Sequence, residues 1–139
     1  MENQIKEAIL NVLNSNNVLT LATTGGEYTP WILSVYFASE GLNIYFFLEQ
    51  SGKSLQNVKI NDSAAIAISE NDAMKDFIQA QGKIVLLSQT EENKVREMLV
   101  KKMPWFQTYT PVTPVKLDVS KFFISSFQRQ WFPAKILAA

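Results

Sequence analysis

The apolar positions change period several times along the chain, and each change marks an element. Ile5, Ala8, Ile9, Val12 and Leu13 recur at helical spacing between Glu2, Gln4, Lys6 and Glu7, predicting an amphipathic helix from about Asn3 to Asn14 that covers a core. Asn14-Ser15-Asn16-Asn17 breaks it. Val18 to Thr23 then alternates as a strand, with Leu19 and Leu21 on one face and Val18, Thr20 and Ala22 on the other. Thr24-Gly25-Gly26-Glu27 reads as a hairpin turn whose adjacent glycines supply positive backbone angles. The next strand, Tyr28 to Ala38, is apolar on both faces through Pro30-Trp31-Ile32-Leu33-Ser34-Val35-Tyr36-Phe37, which a one-sided surface sheet does not explain. A partner subunit or a bound flat ligand is the better cover for its second face; an ordinary buried barrel strand is the alternative.

Ser39-Glu40-Gly41 closes a second hairpin and leads into Asn43 to Asn57, the stretch on which the chain is organised. Leu42, Ile44, Phe46 and Leu48 share one face of a strand, with Tyr45 and Phe47 on the other. The chain then turns through Ser51 and Gly52 into a helix beginning Lys53-Ser54-Leu55. Such a turn leaves backbone N–H groups unpartnered at the positive end of a helix, beside the hydroxyls of Ser51 and Ser54 and the ammonium of Lys53. Together they make a small anion site. The alternative is a plain helix cap with Lys53 in water.

The short helix ends near Asn61-Asp62, and Ala64 to Ile68 is an apolar, small-residue strand expected in mid-sheet. A polar loop from Ser69 to Lys75 precedes a strand from about Asp76 to Leu87, with Ile78, Ala80, Ile84 and Leu86 inward and a bulge or bend at Gly82. Gln79 and Gln81 on its outer face line a cleft or face water. A second helix runs from Thr90, with Glu91 and Glu92 at its start, Val95, Met98 and Leu99 on its apolar face, and Lys101-Lys102 as a solvated end. Trp105 to Pro111 is an aromatic loop, in which Trp105 is packing or part of a lid. Val115 to Asp118 and Phe122 to Phe127 form a last strand or broken pair, followed by Gln130-Trp131-Phe132-Pro133. The sum is a mainly β fold: a six-stranded antiparallel barrel with two packing helices, in one domain over residues 1–139.

Composition narrows the chemistry. Lysine plus arginine and aspartate plus glutamate each total 13, so no net field draws a nucleic acid or an anionic membrane. The start, MENQIKEAIL, lacks the basic region and long apolar run of a signal peptide, and the cytoplasm is the expected location. The chain has no cysteine and no histidine. That removes disulfides, thiolates, the usual near-neutral general base and the usual zinc and haem ligands, so chemistry borrowed from a cofactor is the better expectation.

The stretches VLTLATTGGEYTPWILSVYF, LNIYFFLEQSGKSLQNVKINDSAAIAI and IQAQGKIVLL resemble the pyridoxamine 5′-phosphate oxidase-like, flavin-binding split-barrel family, including its small stress-protein branch. The resemblance runs from about Ile9 to Trp105, and the residues matching the family's motif are Phe47-Leu48, Ser51-Gly52-Lys53 and Asn57. It implies FMN in a cleft between the two subunits of a homodimer. Ser51, Lys53 and Ser54 would meet the phosphate, and the ring would lie along Trp31, Ile32, Leu33 and Ser34 toward Tyr36. The chain departs from the family at Gly52, where a basic residue is usual, along Pro30 to Ser34, where an arginine is absent, and in the C-terminal FQRQWFPAKILAA, which lacks the basic signature for pyridoxal phosphate.

The resemblance therefore implies an FMN-dependent oxidoreductase acting with a small-molecule redox partner, rather than a true pyridoxamine phosphate oxidase. A non-catalytic cofactor-binding or stress-response module, with Trp105, Phe106 or Trp131 closing the substrate side, is the alternative. A ligand-free dimeric barrel is another. Related split barrels use a deazaflavin, which nothing in the sequence excludes, or haem, which the lack of histidine disfavours.

Overall fold

The computed structural model describes residues 1–139 and is mostly β. In chain order its elements are α1 (Glu2–Ser15), β1 (Val18–Thr23), β2 (Trp31–Glu40), β3 (Asn43–Glu49), α2 (Lys53–Ile60), β4 (Ser63–Ile68), β5 (Phe77–Leu86), α3 (Glu92–Lys102), β6 (Val112–Ser126) and β7 (Trp131–Ala138). All strand pairs are antiparallel, in the order β3-β2-β1-β4-β5-β6-β7. A further pairing of β3 with β6 closes the first six strands into a barrel.

Alternation decides what fills the barrel. Leu19, Leu21, Phe37, Ile44, Phe46, Ile66, Ile78 and Ile124 point inward and are buried, and the apolar stripe of α1 joins them through Ile5, Ile9 and Leu13. Each such side chain contributes about 1.5–3 kcal/mol by leaving water. A second, smaller cluster lies under α3, where Val95, Leu99 and Met103 pack on Phe47 and Ala38.

Several expectations are corrected. Beyond the six expected barrel strands, Trp131–Ala138 forms an additional edge strand on β6. Trp131 is buried in the main core, so it packs rather than closes a substrate site. The last barrel strand is unbroken from Val112 to Ser126; its pairing skips Ser120, which forms a bulge opposite Gly82. A Cβ at Gly82 would overlap the carbonyl of Asp118, so this glycine permits the approach of two backbones. Leu86, expected inward, is the last residue of β5 and is 42% exposed. β2 starts at Trp31 rather than Tyr28, and Gly25 and Gly26 do not have positive φ.

Lys102 is not a solvated helix end. Its Nζ donates to the carbonyls of Leu13 and Asn16 at the end of α1 and of Phe37 in β2, and lies 3.8 Å from the centre of the Phe37 ring. It thus caps α1 from another helix and ties α3 to the barrel. Burial opposes these contacts and lowers its pKa from 10.5 to about 8. The folded protein then releases this proton more readily than the unfolded chain, so this group adds stability as pH rises from about 8 to 10.5. Lys102→Met should cost about 1–3 kcal/mol by leaving carbonyls unpartnered. The deficit relative to wild type should widen as pH rises through that window; urea unfolding of both proteins on either side of it gives the answer, and an unchanged difference would remove the titration from Lys102.

Candidate functional site

The site follows from a parting of two strands. β2 and β3 pair only from Phe37↔Phe46 to Glu40↔Asn43. Beyond that point β3 pairs with β6 alone, through Phe47↔Pro114, Leu48↔Thr113 and Glu49↔Val112, while the first half of β2 keeps only β1. Between them opens a wedge of about 470 Å³, walled by Trp31 and Leu33–Tyr36 of β2, the end of β3, the first turn of α2 and residues 106–110. That volume is within the about 300–1,000 Å³ usual for small-molecule sites.

One wall is a free strand edge. The Phe37 N–H donates to Asn17 on the β1 side. Because successive residues of a strand send their backbone groups to opposite edges, those of Ile32, Ser34 and Tyr36 face the side on which no strand pairs with them. Side chains alternate across the same strand: Trp31, Leu33 and Val35 are half-buried toward the core, while Ile32, Ser34 and Tyr36 are exposed.

The other wall is the start of α2. No side chain caps it, and the first backbone bond into the helix is Gln56 N–H to Gly52 O, so the N–H groups of Lys53, Ser54 and Leu55 have no acceptor in the chain. The hydroxyl of Ser54, buried at 2% exposure, has no hydrogen-bond partner at all. A buried hydroxyl with nothing to bond is costly, and here it belongs to the same helix turn as the unpartnered amides. Lys53 Nζ lies 5.3 Å from the centre of the Tyr28 ring, and Lys53 lines the wedge. An anionic oxygen would satisfy this set, so these groups fit the chemistry of a phosphate.

Of the residues singled out from the sequence, the wedge brings together Trp31, Leu33, Ser34, Phe47, Lys53 and Ser54. Ile32 is on the exposed face of β2, Leu48 points into the barrel core, and Ser51 is exposed outside the wedge. Asn57 is engaged within the chain: its Oδ1 accepts from Gly26 N–H at 2.8 Å, and its Nδ2 donates to Thr23 Oγ1 at 3.0 Å and Tyr28 O at 2.8 Å. It fastens α2 to the loop between β1 and β2. Side chains at Gly25 or Gly26 would overlap Asn57, so these glycines serve close approach rather than turn geometry.

Sequence reasoning missed Arg96. Its guanidinium lies 4.9 Å from the centre of the Phe47 ring, donates to Thr108 Oγ1 at 3.0 Å and pairs with Glu92 at 3.2 Å. It pins the loop wall to α3. The Glu92–Arg96 spacing is legible as a helical ion pair, but the contacts to Phe47 and Thr108 are not. Phe106 stacks on Phe47 with centroids 6.1 Å apart and lines the wedge; Trp105 instead meets Tyr36 edge-on and is exposed. A larger groove of about 710 Å³ runs over the opposite barrel surface past Ala22, Ala65, Gln81 and Gly82. Its lining is mostly small side chains, with Gln81, Lys83 and Asp118 among them, and the Ser120 hydroxyl there already donates to Gln81 O. Nowhere do three acidic side chains gather to hold a metal ion. No helix is long and apolar enough to cross a membrane.

A closed six-stranded barrel with β2 and β3 splayed over a helix start is the architecture of the split-barrel proteins. Residues 6–123 match the family model described as pyridoxamine 5′-phosphate oxidase, and the chain belongs to that family. No functionally curated protein matches the sequence. Among solved structures it is similar to General Stress Protein 26 from Bacillus anthracis, at TM-score 0.75 and 16% identity over 98% of this chain and 99% of that one. It is also similar to ChuZ from Campylobacter jejuni, at TM-score 0.82 and 14% identity over 98% of this chain and 60% of the other. A heme binding protein from Mycobacterium smegmatis gives TM-score 0.78 and 17% identity, over 96% and 57%. These likenesses concern the fold.

Proposed function

We propose that the chain binds FMN in the wedge between β2 and β3 and serves as a flavin-dependent oxidoreductase, working as a homodimer. The observation that carries this reading is the uncapped start of α2 with the orphaned Ser54 hydroxyl beside Lys53. Ser54 and the first-turn amides hold the phosphate by hydrogen bonds, and Lys53 neutralises it. The free-edge backbone groups of Ile32, Ser34 and Tyr36 are available to the polar rim of a flat ring, and Trp31 and Phe106 exclude water from it. Bound FMN supplies reversible two-electron chemistry that a chain without histidine or cysteine does not itself provide. The departures at Gly52 and Pro30–Ser34 leave Lys53 as the one cation lining the wedge, so binding is weaker than two or three cations would give.

The outer face of β2 supports the dimer. Ile32 is 68% exposed, and Tyr36 and its cross-strand neighbour Val18 are also exposed in the single chain. A second copy over this face buries them and gives the wedge its missing side.

Ser54→Ala and Lys53→Ala should each weaken FMN binding by about 1–3 kcal/mol, roughly 5- to 150-fold. Ser54→Ala should do so without loss of thermal stability, because it deletes a buried hydroxyl that has no partner in the chain. Isothermal titration with FMN and a melting curve for each variant measure both, and unchanged affinity in the two would take the phosphate away from α2. In native mass measurement the protein should run near twice 15.7 kDa; a monomer at micromolar concentration contradicts the shared cleft.

A further inference from the structure

We propose that Tyr28, outside the wedge lining, is the positioning residue of the phosphate end of the site: its ring holds the Lys53 ammonium in place without neutralising it. The proposal rests on the flavin reading. Lys53 is the one cation lining the wedge, and none of the ion pairs in the chain involves it. Its Nζ lies instead over the face of the Tyr28 ring, 5.3 Å from the centre. A lysine side chain loose in water gives up many rotamers when it binds an anion, and a ring face restricts it beforehand. A carboxylate would also restrict it, but would cancel its charge. An aromatic quadrupole attracts the ammonium and leaves that charge for a phosphate.

The ring is itself fixed. Tyr28 belongs to the loop between β1 and β2, and its carbonyl accepts from Asn57 Nδ2 at 2.8 Å, while Asn57 Oδ1 accepts from Gly26 N–H at 2.8 Å. Thr29 Oγ1 donates to Thr24 O at 2.8 Å and closes the loop on itself. The Tyr28 and Trp31 rings meet edge-on, with centroids 5.9 Å apart at 62°. Asn57 lies on α2, the helix that begins with Lys53. One asparagine therefore fixes the loop that carries the ring to the helix that carries the ammonium, and Tyr28 and Lys53 meet across that joint.

The test compares FMN with riboflavin, which has the same ring system and no phosphate, in titrations of the protein followed by flavin fluorescence. Tyr28 is 44% exposed, so its replacement leaves the core intact. Tyr28→Leu should weaken FMN binding about two- to fivefold, the scale of one exposed cation–π contact, and leave riboflavin binding unchanged. Tyr28→Phe keeps the ring and should bind FMN as wild type does. In a Lys53→Met background, Tyr28→Leu should have no further effect. Unchanged FMN affinity in Tyr28→Leu, an equal loss for riboflavin, or an equal loss with Lys53 already replaced each overturns this proposal and leaves the flavin reading standing. Wild-type protein that takes up no FMN overturns both.

Discussion

β2 and β3 pair only over Phe37–Glu40 and Asn43–Phe46, while β3 pairs with β6 along its other edge from Ile44 to Glu49 and so closes the barrel. Past Phe37 and Phe46 the facing edges of β2 and β3 have no strand partner. The site depends on that parting. It strips one edge of β2, separates two sheet ends, and leaves a wedge whose floor is the core and whose far wall is the first turn of a helix.

The wedge keeps its shape through a few long-range contacts. Asn57 makes three side-chain hydrogen bonds, to Gly26, Thr23 and Tyr28, which fasten α2 to β1 and the loop after it. Arg96 does the corresponding task on the other side, clamping the 106–110 loop to α3 through Thr108 and Phe47, while Lys102 ties that helix to α1 and β2. With the flanks held, the unpartnered hydroxyl of Ser54 is a local cost accepted within a well-satisfied frame, the pattern expected where a ligand completes the bonding.

Much of this was legible from periodicity. α1, β1, β3 and α2 lie within a residue or two of the bounds read from apolar spacing, and the turn after β3 reads directly as a helix start rich in hydroxyls and lysine. Elements whose burial is not periodic stayed hidden. β7 buries only Trp131 and Leu137 and carries Pro133 in its middle, which a central strand does not tolerate but an edge strand does. Lys102 and Arg96 look like ordinary helix-surface cations until distant chain segments bring carbonyls and an aromatic face to them. Gly25 and Gly26 look like turn residues because nothing local announces Asn57, 31 residues beyond Gly26. In the site, the local signal at Lys53 and Ser54 was readable, whereas the separation of Leu48 and Asn57 from the wedge needed the tertiary structure.

The most direct test of the central claim is a titration of FMN with the purified protein, following flavin fluorescence. The account predicts a saturable change that ends at one FMN per chain, because each chain carries one uncapped α2 and one Ser54. Flavin fluorescence that stays constant through a molar excess of protein at micromolar concentrations would contradict it, and the wedge would then be a cleft for some other ligand.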